Sequence, residues 1–446
     1  MLQEEIFKQK REAVSKMVEH IYIPKMFRVK QTFPKDKIER TEINDTLNKL
    51  LEKEEIYSRI KPGMKIAITA SSRGIANADI IMKSIVDFIK GKQAYPFIVP
   101  AMGSHGGATA DGQKKILKDY GISEETMGCP IYSSMETVKI GTNEEGVEVY
   151  IDKYAAEADG IIINCRIKPH TLFRGKYESG IMKMMAIGLG KQYGAEICHS
   201  AGVENLAKNV SLFGKCILKN APILFAVATV DNAYEQTYKL WVVPTEKIEE
   251  EEPRILNQAF KQMARILIDS CDVLIVDEIG KNFSGDGMDP NVTGTFATQY
   301  ANGGIRAQKV AVLDISEYSH GNGLGIGYAN ATTQKLVDKL DLEAMYLNSI
   351  TSTVLQGVAI PIVMKNDKEA IQVCLKSCTN INRKNPRIVR ISNTLELERI
   401  WLSEAYWQEI QNRDNIIIET KVEDLEFTDE GNLIKNQIWF INWGEL

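Results

Sequence analysis

Histidines stand at points of this sequence where buried strands are predicted to end. His105 follows the apolar run PFIVPAM in the segment GSHGGAT, and His170 follows GIIINCRI in the segment KPHT. Arg73 likewise follows the apolar run KIAITA. In open α/β sheets, ligands bind beyond the carboxyl ends of the strands, which is where these side chains are expected. Two imidazoles facing each other across a crevice, with an arginine to hold a carboxylate, would suit proton transfer at neutral pH.

A lysine inside an apolar segment is the second chemical feature. Lys183 stands between two methionines in GIMKMMAIGLG, and His199 follows it by 16 positions. A lysine in such surroundings loses hydration unless a charge pairs with it, a covalent modification neutralises it, or its amine reaches water. The segment taken alone leaves two simpler interpretations open. Lys183 could merely extend from a core helix to solvent, and His199 could have a purely structural role.

The elements that must position these residues alternate along the chain. Runs rich in Val, Ile and Leu are separated by helical patterns, which is typical of parallel sheets covered by helices on both faces. We therefore predict an α/β fold of two domains with mostly parallel, helix-covered sheets and the active site in the cleft between them. The predicted strands are residues 65–70, 96–102, 160–167, 222–230, 272–280 and 309–316, and helices are predicted over 77–91 and 109–121.

The length of 446 residues favours two domains over a single core. The clearest boundary lies within residues 245–271, where the acidic run EKIEEEEPR is read as solvated. One amphipathic helix is predicted to follow over residues 254–270 and to lead into the strand at 272. This places an N-terminal catalytic and cofactor-binding domain at 1–270 and a C-terminal α/β domain at 271–446.

Composition argues against several classes of protein. The net charge is -5 and no basic stripe is present, so a nucleic-acid partner is not expected. No apolar stretch approaches the roughly 20 residues that span a membrane. The N-terminus has no apolar signal core, and we expect a cytoplasmic protein. Seven scattered cysteines are expected to be reduced and partly buried.

The lysine segment resembles the lactate racemase family, which comprises nickel-pincer-dependent racemases and epimerases of 2-hydroxy acids. The family's Ser-Gly-Gly-Arg-Lys motif stands here as SGIMK, so Ser179, Gly180 and Lys183 match while Ile and Met replace the Gly-Arg pair. The family's histidine 16 residues after the lysine is His199 in this sequence.

The resemblance extends to the residues that follow the predicted strands. The family's two catalytic histidines fall on His105 and His170. Its Asp-x-x-Arg motif becomes ASSR, which keeps Arg73 and has Ala70 in place of the aspartate. The resemblance covers roughly residues 60 to 205 and is one of general architecture beyond them.

The resemblance implies a cofactor. In the family the lysine is joined through a thioamide to pyridinium-3-thioamide-5-thiocarboxylic acid mononucleotide, whose two sulfurs and one ring carbon hold Ni(II). It therefore implies that Lys183, with Ser179 and Gly180 beside it, binds this nickel-pincer nucleotide and bears no charge as an amide. It also implies that His199 is the fourth ligand of the nickel, a metal that sulfur and imidazole donors both suit.

The resemblance also implies a reaction. The C2 hydride of a small 2-hydroxy acid would move to the cofactor and return on the other face, with His105 and His170 as acid and base. Arg73 would hold the substrate carboxylate, and the cofactor-synthesis enzymes would be partners of the chain. From their position after the strand at 272–280 alone, Lys281 and Asn282 are taken as further substrate contacts.

Three questions stay open at this level. The replacement of the aspartate by Ala70 suggests a substrate other than lactate, such as a sugar acid. A metal-dependent lyase or dehydratase acting on a hydroxy acid would use the same histidines. A non-catalytic protein of the same fold that binds the cofactor or a nucleotide would keep the fold without turnover.

Overall fold

The computed structural model describes residues 11–72 and 75–434 of the chain. The chain divides into two compact units. The central unit runs from Pro34 to Met263, and the terminal unit joins Met1–Phe33 to Ala264–Leu446. The boundary predicted from the sequence instead lies after residue 270, with residues 1–33 in the first domain.

The strands are labelled here in chain order. Each of the six apolar runs from which a strand was predicted forms one, with ends that differ by no more than a few residues. The described strands are β1 Met26–Gln31, β2 Lys65–Ala70, β3 Tyr95–Pro100, β4 Thr137–Thr142, β5 Glu148–Asp152, β6 Gly160–Arg166, β7 Ile223–Asp231, β8 Thr237–Pro244, β9 Ser270–Ile279, β10 Arg306–Ile315, β11 Ala331–Thr333, β12 Ile362–Met364, β13 Ile388–Ile391, β14 Arg399–Ser403 and β15 Ile416–Ile418.

The central unit is built on a sheet of strand order β3-β2-β6-β7-β8. The pairs β2–β3, β2–β6 and β6–β7 are parallel, and β7–β8 is antiparallel. A separate hairpin joins β4 to β5. Because β3, β2 and β6 are parallel neighbours, the loops that follow them leave the same edge of the sheet.

Both faces of the central sheet are covered. Side chains alternate across a strand, so along β6 Ile161 and Ile163 pack into one buried cluster while Ile162 packs into another. The nearly continuous apolar runs of these strands are therefore explained by burial on two sides. This confirms the predicted class of a mostly parallel, helix-covered sheet for the central unit.

The helices are also labelled in chain order. The predicted helices at 77–91 and 109–121 are present, and the side chain of Thr109 accepts the N–H of Gly112 at the start of the second. Besides a helical stretch at residues 11–18, the described α-helices are α1 Ile43–Leu51, α2 Glu54–Tyr57, α3 Ala78–Gly91, α4 Ala110–Asp119, α5 Glu124–Met127, α6 Lys153–Ala156, α7 Ile181–Lys183, α8 Lys191–His199, α9 Leu206–Asn220, α10 Ile248–Gln262, α11 Pro290–Thr293, α12 Gln334–Val337, α13 Leu342–Ser352, α14 Asp367–Ser377 and α15 Trp407–Ile410.

The helix predicted over residues 254–270 has the wrong start and the wrong end. The acidic run forms the first turns of α10, and the helix ends at Gln262, well before β9. The run is not wholly solvated either, because Glu252 is 1% exposed. Amphipathic spacing continues through residues 264–269, but the chain there is not helical and connects the two units.

The terminal unit has an eight-stranded sheet of order β12-β11-β10-β9-β13-β14-β1-β15. It is parallel from β12 to β13 and antiparallel from β13 to β15. β1 is an internal strand of this sheet, which is why the first residues belong to the terminal unit. Its partners lie some 370 residues further along the chain, a pairing that local patterns do not reveal.

Two further expectations can be compared with the structure. All seven cysteines are free and buried, as predicted for reduced thiols. In the part of the chain that the structure describes, no helix is both long and apolar enough to cross a membrane. The placement of the active site between the domains stays a prediction.

Candidate active site

Loops from neighbouring strands meet at the carboxyl edge of the central sheet. The loop after β2 contributes Ser72, and the loop after β3 contributes His105, whose Nδ1 is hydrogen bonded to the Ser72 hydroxyl. The imidazole of His105 is exposed. Arg73, the predicted carboxylate ligand, lies outside the described residues. The parallel arrangement of β2 and β3 is what brings Ser72 and His105 together.

His170 stands in a closed loop after β6. Lys168 and Ser179 pair with each other through backbone hydrogen bonds of 2.9 and 3.2 Å, which close this loop. Inside it, the buried carboxylate of Glu178 accepts the backbone N–H of His170 at 2.7 Å. Arg174 donates to the carbonyl of His170 at 2.6 Å. The backbone of His170 is therefore held from both sides.

The His170 ring has a defined orientation. It is buried and stacks on Phe173 with ring centroids 4.3 Å apart. Its Nδ1 accepts the backbone N–H of Leu172 at 3.1 Å, so in a neutral ring the hydrogen is assigned to Nε2. Nε2 lies 2.6 Å from the amine of Lys183. An Nε2–H and a charged ammonium cannot both donate across this contact, so the two nitrogens share one proton there.

Lys183 ends a short helix whose geometry then changes. α7 continues as a π-helix from Met184 to Leu189, and α8 begins at Lys191. π-Helical turns are rare and occur frequently at functional sites. Lys183 is half-buried, and its amine is directed at His170 rather than at solvent alone. A polar partner from the loop after β6 therefore explains how the Lys183 amine can lie among apolar neighbours.

His199 is the last residue of α8. Its Nδ1 is 2.6 Å from the carbonyl of Ala195, so Nδ1 carries a hydrogen and donates it, which leaves Nε2 with a lone pair. Burial lowers the pKa of His199, the bond to Ala195 opposes this shift, and the nearby charge of Lys183 lowers the pKa further. A neutral imidazole with a fixed Nδ1–H is the form that binds a metal through Nε2.

A carboxyl group that the sequence analysis missed lies at the start of α7. Glu252 accepts the backbone N–H of Met182 at 2.9 Å, and burial raises the pKa of Glu252 to about 8. A Cβ on Gly180 would lie 2.3 Å from a carboxyl oxygen of Glu252, so a larger residue here would displace that carboxyl. The Gly180 of the SGIMK motif is therefore explained by the close approach of α10.

The structure brings some predicted site residues together. His170 contacts Lys183 directly, and the charge of Lys183 acts on His199. Lys281 and Asn282 lie in the terminal unit, where the amine of Lys281 donates to the carbonyl of Gly285 at 2.7 Å. Their role as substrate contacts stays a prediction.

Three supporting residues escaped the sequence analysis. Ser72 lies one residue before Arg73 and was passed over in favour of the arginine. Glu178 immediately precedes the SGIMK motif and reads as an ordinary surface acid. Glu252 stands in a run of four glutamates, and only its position on the inner side of α10 distinguishes it. Helical periodicity across the run, with Ile248 and Ile255 on the same buried face, was the available signal.

The chain is similar to known proteins in sequence and in structure. Residues 14–209 match the family model of the lactate racemase N-terminal domain. Among solved structures, the chain is similar to the lactate racemase apoprotein from Thermoanaerobacterium thermosaccharolyticum, at 16% identity and a TM-score of 0.48, over 76% of this chain and 88% of that chain. No curated protein matches the chain.

Proposed function

Through residues 14–209 the chain belongs to the lactate racemase family, and we propose that it racemises or epimerises a 2-hydroxy acid. The family predicted from the sequence is thereby confirmed. The observation that carries the proposal furthest is the 2.6 Å contact between Nε2 of His170 and the amine of Lys183. It joins the candidate proton-transfer group to the candidate point of cofactor attachment.

The residues present fit a lysine-tethered nickel-pincer nucleotide. Lys183 offers a half-buried amine that shares a proton with His170, and His199 offers an Nε2 lone pair. Among the described residues no group of three His, Cys, Asp or Glu side chains is arranged to hold a metal ion, so a metal beside His199 would need donors other than these side chains. The sulfur and carbon donors of such a nucleotide are of this kind. When bound, the cofactor would supply an acceptor for the C2 hydride of the substrate.

His170 handles a proton at Nε2. The Leu172 N–H occupies Nδ1, so Nε2 is the nitrogen available to the C2 oxygen of a substrate. A neutral ring with its hydrogen on Nε2 acts as a donor to that oxygen. It acts as a base at Nε2 only in the other neutral tautomer, in which the hydrogen has moved from Nε2 to Nδ1 and the Leu172 N–H has been released. Conversion of Lys183 to an amide would free Nε2 from the shared proton.

His105 is the second proton-transfer group. Its Nδ1 pairs with the hydroxyl of Ser72, which can accept the Nδ1–H in the neutral and in the charged ring. Nε2 is then the nitrogen that takes or gives the proton of the substrate hydroxyl. Ser72 is a neutral partner for the ring and stands two residues after Ala70, where the family has its aspartate. We propose that the Ser72 hydroxyl orients the His105 ring.

The remaining assignments follow the family and the position of each residue. Arg73 binds the substrate carboxylate through two parallel hydrogen bonds. Ser179 and Gly180 shape the turn that presents Lys183 to the cofactor. Lys281 and Asn282 contact the polar end of the substrate, which we take to be a small hydroxy acid other than lactate. The cofactor is supplied by its synthesis enzymes.

The test is an assay of chiral inversion in D₂O. Protein produced together with the cofactor-synthesis enzymes is incubated with single enantiomers of several 2-hydroxy acids, and products are separated by chiral chromatography. Inversion with the C2 hydrogen retained supports hydride transfer and return. Inversion with deuterium at C2 contradicts this mechanism, because abstraction of a C2 proton exchanges it with solvent.

The same assay separates the two alternative functions. A lyase or dehydratase gives a product that has lost water or a fragment, which mass spectrometry detects. A non-catalytic protein carries the cofactor mass and leaves every enantiomer unchanged. Either result across a panel that includes lactate, glycerate and aldonic acids contradicts the proposed racemase.

A further inference from the structure

Lys191 combines complete burial with an unusual backbone. Its side chain is 0% exposed, and its φ angle of +56° lies in the left-handed region that residues with a Cβ rarely adopt. It begins α8 directly after the π-helical segment. Strained backbone of this kind persists only where the surroundings impose it, and it clusters at functional sites. The proton-transfer and metal-binding roles assigned above do not use Lys191.

The ammonium of Lys191 donates to two acceptors and forms an ion pair with a carboxylate. It donates to the carbonyl of Pro100, the last residue of β3, at 2.7 Å and to Oε1 of Gln113 at 2.8 Å. The carboxylate of Asp152, also 0% exposed, lies 3.5 Å away. Replacing a buried ion pair by apolar residues is often neutral or stabilising, so stability alone does not explain this charge.

Gln113 carries the connection to the loop of His105. The side chain is buried on α4, and its Nε2 donates to the carbonyl of Gly103 at 3.0 Å and to the carbonyl of His105 at 3.2 Å. The acceptor end of this amide is oriented by Lys191. Lys191 therefore orients the side-chain amide of Gln113. That amide in turn binds the carbonyls of Gly103 and His105 in the loop after β3.

The same loop packs directly on the π-helical segment. The N–H of Gly103 donates to the carbonyl of Gly188 at 3.3 Å. A Cβ on Gly188 would lie 2.7 Å from the carbonyl oxygen of Ala101, so the two backbones touch. The chain that presents His105 thus rests on the helical segment that presents Lys183 and His199.

We propose that Lys191 and Gln113 are positioning residues, which hold the His105 loop at a set place on the helical segment of Lys183 and His199. The consequence for turnover rests on the proposed function, whereas the positioning itself does not. An apolar side chain could fill the same volume, but it could not hold the Pro100 carbonyl and the Gln113 amide in place by hydrogen bonds. The role of the buried ammonium is to position the loop. The left-handed backbone at Lys191 directs the ammonium towards Pro100 and Gln113.

The test uses the five histidines of the chain as reporters. The apoprotein is labelled with ¹⁵N-histidine, and the imidazole resonances are assigned by single substitutions. Gln113→Leu removes both loop bonds. The double variant Lys191→Met/Asp152→Asn removes the ammonium without leaving an unpaired buried carboxylate. Lys118→Met, an exposed lysine of α4, is the matched control.

Both test variants are expected to shift or broaden the imidazole resonances of His105, while those of His20 and His320 and the spectrum of the control stay as in the parent. In the cofactor-loaded protein, kcat should fall at least tenfold with a smaller change in KM, since a misplacement of about 1 Å can cost on the order of 100-fold. Unchanged His105 resonances in both folded variants overturn the proposal, even if the melting temperature or activity falls. The His105 resonances could shift in the variants while the parent protein inverts no hydroxy acid. This result would support the positioning role and contradict only the proposed function.

Discussion

Nε2 of His170 lies 2.6 Å from the amine of Lys183, although the two residues belong to different elements of the central unit. One follows β6 inside a closed loop, and the other ends α7. Two nitrogens at this distance share one proton, which keeps the amine from being an isolated charge among methionines. The predictions below start from this contact and from the residues that support it.

Lys183→Arg should abolish covalent attachment of the cofactor. Arginine keeps the positive charge and much of the length, but its guanidinium does not form the amide of a lysine. We expect the intact mass of protein made with the cofactor-synthesis enzymes to equal that of the bare chain. Lys176→Arg, an exposed lysine of the same segment, should carry the full added mass. An adduct mapped to a peptide without Lys183 in the parent protein would refute this assignment.

His199→Ala should lower the nickel content and leave the cofactor attached. The variant removes the Nε2 donor, whereas Lys183, the proposed point of attachment, is unchanged. The measurement is elemental analysis of nickel alongside intact mass. His320→Ala, which removes an exposed histidine of the terminal unit, should retain the parent's nickel. Stoichiometric nickel in His199→Ala would mean that another group is the ligand.

Glu252→Gln should flatten the pH dependence of stability. Burial raises the pKa of Glu252 to about 8, so between the pKa of an unfolded glutamate and pH 8 the folded chain binds more protons than the unfolded chain. The free energy of unfolding therefore decreases as pH rises through this range, by a few kcal/mol in total. Glutamine is neutral at every pH and still accepts the Met182 N–H.

Urea unfolding at pH 5 to 9 measures this effect. The variant should be more stable than the parent at pH 9 and should lose the slope between about pH 5 and 8. Glu250→Gln, an exposed neighbour in the same run, should retain the slope. A parent whose stability rises with pH over this range would contradict the buried, proton-binding carboxyl.

Alanine at His105 or His170 should slow inversion in both directions. The equilibrium constant is that of the substrates, so loss of either group reduces both rates, by about 100- to 10,000-fold. The half-reactions should differ, because each histidine serves one face of the planar ketoacid. With one enantiomer the first step should persist in one variant and fail in the other, and the pattern should reverse with the opposite enantiomer.

Single-turnover absorbance of the reduced cofactor, recorded with each pure enantiomer, reports these half-reactions. If both alanine variants lose both half-reactions equally, the two-base mechanism is contradicted. One of the two histidines would then have a role in substrate binding or in structure. Lys114→Ala, an exposed lysine of α4, serves as the control for general effects of substitution and should match the parent.

Local patterns alone were enough for six strands of the two sheets, whereas the short parallel strands β11, β12 and β13 were not predicted. Runs such as KIAITA are buried on both faces, so their apolar content is nearly continuous and stands out without any partner strand. The parallel order then implied that the residues after β2, β3 and β6 share one edge. The 16-residue spacing of Lys183 and His199 and the two strand-end histidines likewise belong to the chain itself.

Tertiary structure decided what each of these residues contacts. Ser72 became the partner of His105, Glu252 the acceptor at the start of α7, and β1 a strand of the terminal unit, because each contact joins segments far apart in the chain. The acidic run shows the reason most clearly. Its four glutamates are alike in sequence, yet one of them faces the core of the central unit and is 1% exposed. Burial, not residue type, gives that carboxyl its raised pKa, and the packing of α10 gives it its place at the start of α7.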